Sequence, residues 1–264
     1  MRLLPLVLFV SACSMSSAAP AHAPLVCDPD RAGEVVFLFH ESDAFLSAYL
    51  PHGAFLLAID GACGYHAYVA YGEPSVVGVP GVLRHGELDA DTLAELNDTL
   101  LTLPFASYDG LRGGYEMSAD SSIVTLQRGS YEATCEATCM GAEAVEPAME
   151  RSRAWLATLW ERGVEVDGPV DVVAQRIEGA TIGTPTEWTG TTVLFPEGTL
   201  GDARVRVDDD ADVLSLRALR AAGAPSAYGP PIVVRESEAV IGIGVADVLP
   251  YAITLRSGRA GRPW

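Results

Sequence analysis

All five histidines lie before residue 86, and four of them, His40, His52, His66 and His85, fall in or beside segments with strand character. Imidazoles from neighbouring strands converge on zinc or copper when their spacing allows, with a carboxylate such as Glu41 or Asp43 as a further ligand or as the hydrogen-bond partner of a ligand. His52, His66 and His85 are therefore the candidate metal ligands. Their spacings match no established motif: His40-Glu41 lacks the second histidine of a helical zinc-protease signature, and Cys63-x-x-His66 lacks its other half. Scattered structural histidines are the commoner arrangement, so the primary expectation is a protein without a cofactor and the metal is the alternative. A second acidic candidate is the stretch Asp208-Asp209-Asp210-Ala211-Asp212. An EF-hand calcium loop would need glycine at its sixth position and glutamate at its twelfth, where Val213 and Leu219 stand. These aspartates fit better as the cap and charge complement of a helix N-terminus, with weak calcium binding as the other use.

Nucleophilic catalysis finds no template. There is no Gly-x-Ser-x-Gly elbow, and no histidine follows residue 85 to serve a downstream serine. The chain has no lysine, its 17 basic residues all being arginine. That excludes P-loop ATPases, pyridoxal-phosphate enzymes, Schiff-base aldolases and Ser-Lys hydrolases, each of which needs a lysine amine. The net charge of −18 repels phosphate backbones and excludes nucleic acid as an expected partner. Trp155, Trp160, Trp188 and Trp264 offer rings that stack on sugars, although the first two sit where a helix would pack them.

The N-terminus carries an address. Met1-Arg2 is followed by an apolar run from Leu3 to Val10 and then by Ser11-Ala12-Cys13. A charged start, an apolar stretch too short to span a bilayer and small residues before a cut describe an export signal. The run Val10-Ser11-Ala12-Cys13 resembles the lipobox of bacterial lipoproteins. The resemblance implies that residues 1–12 are removed and that Cys13, carrying a diacylglycerol, becomes the acylated N-terminus. It also implies sorting to the outer membrane, since Ser14 and not aspartate follows the cysteine, with the domain in the periplasm or on the cell surface. Two or more acyl chains hold a protein stably where one does not. Residues 13–24, rich in Ser, Ala and Pro, then form a flexible tether. The competing reading is a secreted soluble protein cut near Ala18 or after Ala23. No later apolar run approaches the length of a membrane span.

With Cys13 lipidated, Cys27, Cys63, Cys135 and Cys139 remain, an even number in an exported chain and hence a disulfide framework. Three pairings are open. The preferred one joins Cys27 to Cys63, tying the incoming tail to a hairpin, and Cys135 to Cys139, closing a small loop. The second pair lies in a tandem Glu-Ala-Thr-Cys repeat whose spacing suits a disulfide in a turn better than one on an ideal helix. Cys135-x-x-x-Cys139-Met140 also resembles the Cys-x-x-x-Cys loop of periplasmic copper-handling proteins and implies a Cu(I) site, but it lacks the proline those motifs carry.

The elements that must position these residues are mostly strands. Runs at 35–39, 54–59, 65–71, 122–127, 130–135, 170–176, 191–195, 203–207, 232–235 and 239–245 have strand character, and 75–83 would be an edge strand because of Pro80. Asp60-Gly61 and Gly64 make 54–71 a hairpin with Cys63 at its tip. One helix is capped by Asp89 and carries Leu93, Leu96, Leu100 and Leu103 until Pro104 stops it. A second runs from Pro147 to Arg162 before Gly163, and a third from Val213 to Ala222. Short connections between strands favour antiparallel pairing, so the expected class is α+β, a mainly antiparallel sheet with about three helices packed on it. Asp167-Gly168-Pro169 marks the expected boundary between a domain at 25–167 and a second domain or subdomain at 168–264. The order of hairpin, Gly86-Glu87-Leu88 opening a capped helix, Pro104-Phe105 exit and further strands resembles exported domains of unknown function and transfers no catalytic residue. The expected role is therefore non-catalytic: an envelope lipoprotein that binds another envelope protein or a small ligand. The alternatives are a metal-binding protein or metal-dependent enzyme built on the early histidines, and an exported inhibitor held by disulfides.

Overall fold

The computed structural model describes residues 23–43, 54–70, 81–114, 122–136, 139–177, 184–222 and 232–249. In chain order the strands and helices are β1 (Val35–Asp43), β2 (Phe55–Asp60), β3 (Gly64–Val69), β4 (Val82–Glu87), α1 (Ala90–Leu96), α2 (Phe105–Tyr108), β5 (Arg112–Gly113), β6 (Ser122–Arg128), β7 (Tyr131–Glu136), α3 (Glu146–Arg162), β8 (Val164–Glu165), β9 (Val170–Arg176), β10 (Thr186–Glu187), β11 (Asp202–Val207), α4 (Asp210–Ala222), β12 (Ile232–Glu236) and β13 (Ala239–Asp247). The strands form an eight-stranded sheet, β5-β7-β6-β1-β2-β3-β4-β8, and a five-stranded sheet, β10-β12-β13-β9-β11. Pairing is antiparallel except where the two-residue strands β5 and β10 join β7 and β12. The protein is α+β. The first sheet takes its last strand at Glu165 and the second its first at Val170, on either side of Asp167-Gly168-Pro169.

One face of the first sheet carries Phe37, Phe39, Leu57, Ile59, Ala67 and Val69 into a core shared with Leu96, Leu100 and Leu101 of the first helical segment and Leu156, Leu159 and Trp160 of α3. The opposite face presents Leu38, Leu56, Ala58, Tyr68 and Leu83, which pack with Ala246 of β13. Antiparallel sheets alternate apolar with polar residues when one face is wet. Here the central strands are covered on both sides, which is why β2 is buried along its entire length. The second sheet packs Val172, Ala174, Ile241, Ile243 and Val234 against Val213 and Leu216 of α4.

Local chemistry sets the helix ends. The Asp89 carboxylate accepts the Thr92 amide at 2.7 Å, and α1 runs on into a π-helical turn over Asn97–Leu101. The wider turn brings the adjacent Leu100 and Leu101 into the core together, both fully buried. Pro147 stands in the first turn of α3, and the Gly163 amide closes its end on the Leu159 carbonyl at 2.9 Å. The tryptophans of α3 are packing residues: Trp155 donates to Thr99 Oγ1 at 3.2 Å and Trp160 to the Val82 carbonyl at 3.4 Å.

The described elements bear on four expectations. A fourth helix, the single turn α2, follows Pro104. The third expected helix begins at Asp210, because Asp209 accepts the amides of Ala211 and Asp212, both at 3.1 Å, and caps it earlier. Of the expected 75–83 run, residues 75–80 lie outside the described residues, and β4 takes up its last two positions from Val82. Residues 191–195 are not a strand. Their amides go to carboxylates instead: Thr191 and Thr192 donate to Asp212, and Leu194 and Phe195 donate to Glu236 at 2.7 and 2.9 Å. A backbone satisfied by carboxylates needs no partner strand.

Candidate functional site

The approach of the chain to β1 is fastened at three successive places. Arg128, at the end of β6, is buried and donates to the carbonyls of Ala23 at 3.2 Å, Val36 at 3.3 Å and Leu101 at 3.3 Å. Burial, with the like charge of Arg31, lowers its pKa from the ordinary arginine value, yet a guanidinium stays charged and its fork fits three carbonyls. Leu25 is buried, and the side chain of Asn97 in the π turn grips its backbone from both sides, accepting its N–H at 2.7 Å and donating to its carbonyl at 3.0 Å. Cys27 is bonded to Cys63, their Cα atoms 5.2 Å apart, at the tip of the β2–β3 hairpin. Asp60 completes the junction by accepting the amides of Gly33, Ala62 and Gly64 at 2.9, 3.0 and 2.8 Å.

The second disulfide joins Cys135 at the end of β7 to Cys139 across a Cα separation of 4.7 Å. Cys139 has φ 51°, off the helical path, which agrees with a turn at this spacing. Its sulfur lies 3.8 Å from that of Met149 on α3, in the core. Cys13 lies outside the described residues.

On the first sheet the register sets His66 of β3 directly against His85 of β4. Their rings lie 6.0 Å apart between centroids with planes 21° from parallel. His85 is exposed and His66 half-buried. Burial and then the neighbouring His85 lower the pKa of His66 to about 4, against a smaller opposing pull from Asp60. His52, the third candidate ligand, lies outside the described residues. His40 is buried on β1, two strands from β3 and offset by two residues, since His66 pairs with Ala58 and Ala58 with Leu38. That spacing places its Cα roughly 12 Å from that of His66, too far to share one ion. Glu41 is committed to the helical face, where Arg153 holds it through two bonds of 2.9 and 3.2 Å. The side chain of Asp43 lies outside the description. Among the described residues no three His, Cys, Asp or Glu side chains form a group that would hold a metal.

The depressed His66 pKa has a consequence for stability. Between the free-imidazole value near 6.5 and about 4 the unfolded chain binds a proton that the folded chain refuses, so stability is full above pH 6.5 and falls as pH drops through that window. The loss, discounted for solvent access, is about 2 kcal/mol or less. Urea titrations at pH 7 and pH 4.5 should show a smaller pH difference in His66→Asn than in the native chain. An unchanged difference would remove His66 as the cause.

The aspartate cluster resolves into separate structural roles. Asp209 caps α4, and Asp212, although buried, accepts the amides of Thr191 and Thr192 and the Thr191 hydroxyl. Burial would raise the pKa of Asp212, but its hydrogen bonds from Thr191 and Thr192 together lower it.

One cluster was not anticipated. Asp247, at the end of β13 and 1% exposed, accepts the Leu83 amide at 2.9 Å, Arg217 at 2.9 Å and Arg220 at 3.3 Å. Arg220 also donates to the Gly81 carbonyl at 2.6 Å and Arg217 to that of Val166 at 2.9 Å. The cluster therefore joins β13 and α4 to the first sheet. Gly81 lies where a side chain has no place: its φ is 75°, and a Cβ there would stand 2.1 Å from the Val245 carbonyl oxygen. The available sequence signal was the pair Arg217 and Arg220, three residues apart among the leucines of one helix.

Compared with protein-family models, curated proteins and solved structures, the chain matches none. Among the described residues no helix is long and apolar enough to cross a membrane.

Proposed function

We propose that this chain is a lipid-anchored protein of a bacterial cell envelope, acylated at Cys13 and sorted to the outer membrane. In this reading its α+β body serves as a binding or structural module for another envelope protein or a small ligand. The observation that carries the reading is the fastening of residues 23–27. A domain held by its N-terminus feels every pull at the point where the tether enters the fold. Here that point is gripped by a buried arginine, by an asparagine bonded to both backbone groups of Leu25, and by a disulfide, all before β1 begins. A cut after Ala23 would leave Pro24 as the first residue and separate the carbonyl that Arg128 holds from the rest of the chain.

Cysteine usage agrees with this. Of the five cysteines, four are paired with one another, and Cys13 is the one left for acylation. Two disulfides fit an oxidising compartment. The buried carboxylates act in the fold: Asp60, Asp212 and Asp247 hold backbone amides, and Glu41 holds Arg153. The surplus of acid on the surface favours a partner of positive charge.

The test is the full chain expressed in a bacterial host beside Cys13→Ser, with both fractionated and labelled with radioactive palmitate. The native chain should sediment with membranes and carry label. Cys13→Ser should carry none and retain both disulfides. Label-free native protein in the soluble periplasmic fraction would defeat the proposal.

A further inference from the structure

We propose that His66 and His85 form a two-point site for a divalent transition-metal ion, Cu2+ preferred, on the sheet face opposite the helices, with water filling the remaining positions. The sheet makes the site before any ion arrives. Directly opposed residues on antiparallel strands hold their Cβ atoms roughly 5 Å apart on the same face, and the register sets these two histidines opposite each other. Two imidazoles bound to one ion through nitrogens at roughly 2.0–2.1 Å place their ring centroids from roughly 4.5 Å apart at a right angle to roughly 6.4 Å when trans, and the observed separation of 6.0 Å lies within that range. The terminal torsion of a histidine ring is broad and two-fold, so one backbone register admits more than one orientation of its nitrogens.

The charge balance favours a cation here. Asp60 is close enough to act electrostatically on His66 while its oxygens stay occupied by the three amides of the hairpin junction. Glu87 lies on β4 two residues from His85, at the position diagonal to His66 and exposed. Imidazole ligands suit copper, nickel and zinc, and among these divalent ions affinity peaks at Cu2+. The exposure of His85 leaves an open approach, as befits reversible capture of an ion and not a closed structural centre.

The experiment titrates Cu2+, then Zn2+ and Ni2+, into the full disulfide-bonded chain, its His66→Asn and His85→Asn variants, and a His22→Asn/His52→Asn control. Calorimetry gives the stoichiometry and electron paramagnetic resonance the number of bound nitrogens. The expected result is one Cu2+ per chain with two imidazole nitrogens. Each single variant should weaken binding about tenfold or more, because the two-point advantage is lost, and the control should bind like the native chain. His85 is exposed, so His85→Asn should keep the native apo melting temperature, and its binding can be judged apart from folding. Native-like binding by His85→Asn, dependence on the control pair, or no Cu2+ bound by the native chain would each overturn the site.

Discussion

Replacing Asp247 with alanine is expected to lower the unfolding free energy by about 3–5 kcal/mol. Two observations set that size. The carboxylate is 1% exposed and faces two guanidiniums, with Arg220 itself 6% exposed. Removing the acid leaves a buried positive charge whose Nε already lacks a hydrogen-bond partner, and an uncompensated buried charge is worse than the loss of the pair's attraction. The Leu83 amide loses its acceptor as well. Asp247→Asn keeps an acceptor for that amide and loses the charge, so it should fall between the native chain and the alanine variant. Asp167 is the control: it faces the same Arg217 at 3.9 Å with its side chain fully in solvent, and its removal should change little. Denaturant unfolding of the three variants measures this. A loss below about 1 kcal/mol for Asp247→Ala would mean that the two sheets are not held together through this cluster.

The second large effect concerns the Cys27–Cys63 bridge. Its sequence separation of 36 corresponds to about 4 kcal/mol of unfolded-chain entropy, against about 2 kcal/mol for a loop of five residues. The Cys27→Ser/Cys63→Ser double variant should therefore lose about twice as much stability as Cys135→Ser/Cys139→Ser, whose bridge spans a separation of only 4. The first loss should also loosen residues 23–34, because Asp28 is held by Gly61 and Glu34 by the same hairpin turn. Hydrogen exchange at those amides reads this directly. Equal losses in the two variants, or unchanged exchange before β1, would contradict the assigned role of the first bridge.

The pattern of what was legible follows the range of each interaction. The helix starting after Asp89 was visible because its cap and leucine spacing lie within a dozen residues, and the same holds for Gly163 at the end of α3. The hairpin with Cys63 at its tip was visible because Asp60-Gly61 and Gly64 mark the turn locally, and that placed Cys27 as the sensible partner. The π turn was hidden, since leucines at 96, 100 and 103 fit an ordinary helix equally well. The run 191–195 has the apolar and threonine content of a strand, and only Asp212 and Glu236, 21 and 42 residues distant in their contacts, satisfy its amides differently. The Asp247 cluster depends on a separation of 164 residues between Asp247 and Leu83, which no local pattern can carry. Of the histidine trio, the sheet register unites His66 with His85, His52 lies outside the described residues, and the buried His40 stands too far off on β1 to join them.

The measurement that bears most directly on the proposed lipoprotein is the intact mass of the N-terminal peptide of the mature chain, isolated from bacterial membranes after proteolysis. The account predicts a peptide that begins at Cys13 and carries a diacylglycerol with a further acyl group, with Cys27 still linked to Cys63. An unmodified peptide beginning near residue 19 or 24 would contradict it and leave a secreted soluble protein with Cys13 discarded.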